Sequence, residues 1–310
     1  MMVAAIAALS PAIECNAQVE RWEGKFYYTL SDGPRRVRQA RYVYEFNTIT
    51  RDGTFEVERI RKVKNTPAAD GIVQDQFGHL YIGGQNRREV YRIDASTCDR
   101  ETQTTDDVRV FHIMLNPQQD RLWGCFWSPG SDLCEIPLNP FGPGVRRNVV
   151  GDDQEVTFIA WNAFDQNQES YYVYDASGGH FGTIDLSLAE PVTDKLIDGL
   201  HAAHSMAFDT YTGTFVTFGG EFIGQIDHHL PDEISFFDTR LELGIGALDQ
   251  GVADGYGHVF VASGEGHVVF LDYSESGLIG APRFAGADFL VDDLDDLAIS
   301  DFNICDVTAK

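Results

Sequence analysis

Three carboxylates and two imidazoles recur through this chain at a nearly constant spacing: Asp70, His112, His204, Asp249 and Asp295, with Thr157 in the remaining slot. The six positions are 42, 45, 47, 45 and 46 residues apart. If each opens one copy of the same structural repeat, all six converge on one opening. Carboxylates and imidazoles gathered there repel one another unless some share protons or a cation sits among them. Both are ordinary metal ligands. The expected metal set is Asp70, His204, Asp249 and Asp295, with Asp296 in place of Asp295 if the register slips by one. Carboxylate oxygens suit Ca2+, and the histidines bring Zn2+ or Mn2+ into range. The competing reading is structural, because Asp and His at strand starts commonly bond backbone N–H groups of the adjoining turn.

The elements that must position these residues form a repeat. It reads as an apolar strand ending in Asp or Asn, a turn usually holding Gly, a second aromatic or β-branched strand, and a third strand ending in Asp. Clear copies are His204-Ser-Met-Ala-Phe-Asp209 followed by Gly213 to Gly220, and Asp249-Gln-Gly-Val-Ala-Asp254 followed by Gly257 to Gly264. Four short strands in such a period are the signature of propeller blades. The sixth copy, Leu294 to Ser300, is a lone first strand, so its partners must come from the strand-like runs 25–30, 41–46 and 54–60. The expected fold is an all-β, six-bladed β-propeller, closed by N-terminal strands pairing with the last C-terminal strand. It occupies 18–310 as one domain behind a signal peptide at 1–17, whose short apolar run is too brief to span a bilayer.

Charge narrows the partners. With 23 Lys and Arg against 48 Asp and Glu, the net charge is −25, which repels nucleic acid and anionic membrane faces and attracts cations. An exported protein, whether secreted, periplasmic or on the cell surface, is consistent with this acidity and with the cysteines. Removing Cys15 with the leader leaves Cys98, Cys125, Cys134 and Cys305, an even number. A turn at Pro129-Gly130 would set Cys125 and Cys134 opposite each other, so the pair reads either as a cross-strand disulfide or as two buried thiols.

Other chemistry is thinner. His79 and His258 share a Gly-His turn slot in two repeats and read as turn residues. His228 and His229 follow a strand-ending Asp227 and read as solvent-facing, while His201 could support His204. The six Asp between Asp288 and Asp301 lack the spacing of an EF-hand loop. No nucleophile elbow, phosphate loop or dinucleotide fingerprint is present, and a Ser205-His204-Asp249 triad lacks an oxyanion context.

The phrases His204-Ser-Met-Ala-Phe-Asp209, Leu248 to Asp254, Phe270-Leu-Asp-Tyr-Ser-Glu-Ser-Gly-Leu-Ile-Gly280 and Leu294-Asp-Asp-Leu-Ala-Ile299 resemble a family of secreted bacterial propeller proteins of the PEP-CTERM-associated type. More distantly, the blade phrase resembles NHL repeats and the SMP-30/gluconolactonase group. That likeness implies a metal in the central channel and lactone or ester hydrolysis, with Asp249 as the position carried over. Two functions are expected. The first is an extracytoplasmic binding or surface-scaffold protein for a small molecule, an extracellular protein or a polysaccharide, with a polar, cation-binding channel mouth. The second is a metal-dependent hydrolase, lactonase- or esterase-like, or a lyase acting at that mouth.

Overall fold

The computed structural model describes residues 19–30, 36–94, 97, 99–125, 132–175 and 178–300. Six β-sheets surround a central channel, and the described residues include a single short helix, Thr239–Leu243. We number the blades from the one that holds the N-terminal strands. The innermost strands of blades 2 to 6 are Ile72–Gln74, His112–Leu115, Phe158–Trp161, Ser205–Asp209 and Leu248–Ala253. That of blade 1 is Leu294–Ser300. These six pack side by side in cyclic order, the last against the first.

Strand composition follows from this ring. A middle strand is covered on both faces by neighbouring blades and can be apolar throughout: His258–Ser263 is buried at every position. An outer strand faces water, and Arg100–Thr104 is accordingly polar and largely exposed. The strand-ending Asp or Asn of the repeat caps the turn that follows. The Asp75 Oδ1 accepts the backbone N–H groups of Phe77 and His79, and Asp254 Oδ1 accepts those of Tyr256 and His258. Asn116, Asn162 and Asp209 do the same in the other blades.

Closure joins the two ends of the chain in blade 1. Leu294–Ser300 pairs antiparallel with Val19–Leu30, matching Phe26 to Ile299 and Tyr28 to Leu297, and Arg36–Asn47 and Gly53–Asn65 complete the sheet. An aromatic core locks blade 1 to blade 6. The rings of Phe55 and Phe270 stack at 4.7 Å, and the Tyr44 hydroxyl donates to Asp272 Oδ2 at 2.7 Å. Truncating so buried an aromatic side chain costs about 3–5 kcal/mol.

The Cys125–Cys134 disulfide does not form; both are buried free thiols. The reason is register. Cys134 lies opposite Gly124, and Cys125 opposite His112, so the two cysteines are one residue out of step. Alternation along the strand then sends them to opposite faces. Cys125 packs with Met114 and Trp123, and Cys134 with Ile113, Leu122 and Ile136. Burial pushes both thiols up, that of Cys134 to about 12. The proposed leader at 1–17, the Pro129-Gly130 turn, Cys98 and Cys305 lie outside the described residues.

Candidate functional site

All six inner strands begin at the same end of the channel, and each periodic residue sits at or beside such a start. Asp70 precedes Ile72–Gln74, His112 opens its strand, and Thr157 and His204 each stand one residue ahead of theirs. Asp249 and Asp295 are second in their strands, with Asp296 third. Close approach of blades 2 and 3 depends on Gly71. A Cβ there would come within 2.5 Å of the Phe111 carbonyl oxygen and 2.8 Å of the His112 Cα, so only glycine lets Asp70 and His112 draw together.

The polar residues sort into two groups. In the first, one nitrogen each from His112 and His204 and one oxygen from Asp249 lie within 4.8 Å of one another. The Asp249 Oδ1 is 3.1 Å from His204 Nε2 and 3.8 Å from His112 Nε2. Neither contact closes an aligned hydrogen bond, which leaves this buried oxygen without a partner. The far sides of both rings are fixed. Thr157 O accepts from His112 Nδ1 at 2.9 Å, and the Asp175 carboxylate accepts from His204 Nδ1. A carbonyl or carboxylate can only accept, so Nδ1 carries the proton and Nε2 is left facing Asp249. The rings meet edge to face at 4.7 Å. His112 is 2% exposed, whereas the side chains of His204 and Asp249 are 23% and 25% exposed, so the group is sealed on one side and open on the other.

The second group is Asp70, Asp295 and Asp296, which likewise bring one oxygen each within 4.8 Å of one another. All three are buried. Gly71 N–H and the Gln85 side-chain amide donate to Asp70, and Asp296 N–H donates to Thr29 Oγ1 at 3.2 Å.

Electrostatics divide the groups too. Burial raises Asp70 to about 6, with the Asp249 charge adding to the shift and His112 opposing it. Burial, reinforced by Asp249, Asp295 and Asp70, drives Asp296 far above the usual carboxylate range. Asp249 goes the other way: burial would raise it, but the charge of His204 and the closeness of both imidazoles hold it well below that range. Burial alone would lower His204, yet the Asp249 charge and the Asp175 hydrogen bond win and raise it to about 10. Without a metal ion, the two carboxylates thus favour the protonated form of His204, and a metal at Nε2 would take the place of that proton.

The expected metal set of Asp70, His204, Asp249 and Asp295 is thus split across the two groups. His112 joins the imidazole group, and Asp296 joins the carboxylates. Thr157 contributes its backbone oxygen to His112, while its hydroxyl accepts Asp175 N–H at 3.0 Å. Sequence reasoning missed Asp175. It follows the strand Ser170–Tyr174 rather than opening an inner strand, and its only signal was the repeat's habit of ending strands in Asp. His201 is exposed and lies against Phe222. His79 and His258 bond Asp75 and Asp254 in their own turns, and His228 is half-buried against Asn162 instead of facing solvent. A groove of about 1160 Å³ lined by Trp123, Trp161, Asn162 and Phe164 lies at the far ends of the inner strands and includes none of the clustered residues.

No protein-family model matches the chain, and no curated protein matches it in sequence. Solved structures do match in fold. Virginiamycin B lyase from Staphylococcus aureus aligns with a TM-score of 0.54 at 12% identity, over 88% of this chain and 89% of that one. A catalytically inactive histidine-to-alanine variant of that lyase, with quinupristin, aligns equally well. A streptogramin B lyase gives 0.54 at 10% identity over 92% and 95%. A Bacteroides thetaiotaomicron protein of unknown function gives 0.55 at 10% over 94% of both chains. At these identities the likeness is one of fold, and the chain is a β-propeller.

Proposed function

We propose that the channel mouth binds a divalent transition-type metal ion through His112 Nε2, His204 Nε2 and Asp249, and that the protein is a metal-dependent hydrolase or lyase acting on a small molecule there. One observation carries this reading: both imidazoles are anchored at Nδ1 and turn Nε2 toward the same unsatisfied oxygen. Histidine ligands of metals are held in this way, with the outer nitrogen donating to a carboxylate or carbonyl. Metal–ligand bonds of roughly 2.1 Å put tetrahedral ligand atoms about 3.4 Å apart, between the two separations seen here. Two nitrogens and one oxygen favour Zn2+ or Mn2+ over Ca2+ at this position.

When bound, such an ion would polarise a carbonyl oxygen and acidify a coordinated water. Thr157 and Asp175 set the tautomer and aim of the two rings. Asp249 balances the charge, and the exposed sides of His204 and Asp249 leave room for a substrate from solvent. Virginiamycin B lyase, of which a histidine-to-alanine variant is catalytically inactive, and streptogramin B lyase support the view that a propeller of this shape can host such chemistry at a histidine. The other reading, an extracytoplasmic binding or surface-scaffold protein, draws support from the net charge of −25 but gives no reason for oriented imidazoles. Activity toward lactones, esters and elimination substrates should appear when metal-stripped protein is reloaded with Zn2+ or Mn2+, and vanish in His204→Ala. Failure of the parent protein to bind either ion would end this reading.

A further inference from the structure

We infer that the channel contains a second cation site, built by Asp70, Asp295 and Asp296 from carboxylate oxygens alone and suited to a hard divalent ion such as Ca2+ or Mg2+. It lies beside the imidazole group yet shares none of its three residues, and it does not depend on the function proposed for that group.

Asp296 has no exposed surface. Both its carboxylate oxygens are buried with no N–H group donating to them; they face the Asp249 carboxylate, and Asp70 and Asp295 bring oxygens within 4.8 Å. The neighbouring charges that act most strongly on Asp296 are Asp249, Asp295 and Asp70, all negative. A buried carboxylate is ordinarily paired, hydrogen-bonded or bound to a metal. Here the chain supplies oxygens but no cationic side chain among those neighbours. Gln85 donates its Nε2 to Asp70 and so holds that carboxylate in place. Several carboxylate oxygens are a typical donor set for Ca2+, and Mg2+ uses fewer carboxylates and keeps more water. Oxygen-only donors also give softer metals less advantage than the imidazole group does.

Calorimetric titration of metal-stripped protein with Ca2+, Mg2+ and Zn2+ tests the site. The expected result is one Ca2+ or Mg2+ per chain, weakened at least about tenfold in Asp296→Asn and retained in His204→Ala, with Zn2+ showing the opposite pattern. Asp70→Asn, checked for native circular dichroism, serves the same purpose if Asp296→Asn does not fold. Three results would overturn the inference. These are no Ca2+ or Mg2+ binding by the parent, binding that persists in both Asn variants, and binding lost equally in His204→Ala. Loss of Zn2+ binding alone would remove the proposed function and leave this site standing.

Discussion

Among the described residues, four histidines are bracketed by two carboxylates, and one of the four belongs to the channel mouth. His79 lies between Asp75 and Asp94, His180 between Asp153 and Asp198, His258 between Asp254 and Asp272, and His204 between Asp175 and Asp249. In the turn pairs the carboxylates are already satisfied. Asp272 accepts from Tyr44, Arg283 and Ser274, and Asp254 accepts two backbone N–H groups. At the mouth Asp249 Oδ1 lacks an aligned donor although a second imidazole, His112, faces it. A bracketed imidazole is therefore a structural device in this fold. Convergence on an unsatisfied oxygen is what marks a site.

The comparison breaks if the turn histidines do not stabilise the fold. Burial would lower His258, but hydrogen bonds and charge from Asp254 and Asp272 raise it to about 9. Its pairing therefore stabilises fully below the ordinary value of 6.5, and that stability is lost as pH rises through about 9. At 1.36 kcal/mol per unit the loss is on the order of 3 kcal/mol. Denaturant melts between pH 6 and 10 should show it in the parent and not in His258→Gln, with metal affinity unaltered. A parallel pH dependence in both proteins would refute the role.

The next effect lies at the mouth. His204→Ala should weaken Zn2+ or Mn2+ binding by at least about 100-fold, roughly 2.7 kcal/mol. If His258→Ala weakened metal binding as much, the distinction between turn and mouth would collapse. Asp175→Asn tests the anchor alone. Affinity should fall about 10- to 100-fold, because the ring loses its aim while keeping its ligand atom. Unchanged affinity would make Asp175 a bystander. The smallest effect concerns Cys125 and Cys134: adding reductant should leave the melting temperature where it is, and a clear drop would mean that a disulfide exists after all.

Much of the fold was legible because the repeat is written in turn chemistry. Strand-ending Asp75, Asn116, Asn162, Asp209 and Asp254 recur because each caps the same turn, and the unfinished sixth copy forces the ends of the chain together. The mouth was legible only as a list of strand starts. Which of those residues meet depends on strand tilt and side-chain direction, so spacing alone could not separate Asp70, Asp295 and Asp296 from His112, His204 and Asp249. Asp175 was hidden because it enters from a second strand, outside the register that picked the others. The choice between a disulfide and two buried thiols stayed open in the sequence for a related reason. A one-residue shift opposite Gly124 reverses which face Cys134 occupies, and nothing in the local sequence fixes that shift.

Whether His112, His204 and Asp249 hold one metal ion can be read from anomalous diffraction of crystals soaked in Zn2+, recorded above and below the zinc absorption edge. A strong peak is expected about 2.1 Å from His112 Nε2, His204 Nε2 and an Asp249 oxygen, absent in His204→Ala. A parent crystal with no peak at the channel mouth, or with zinc only on the acidic exterior, would contradict it.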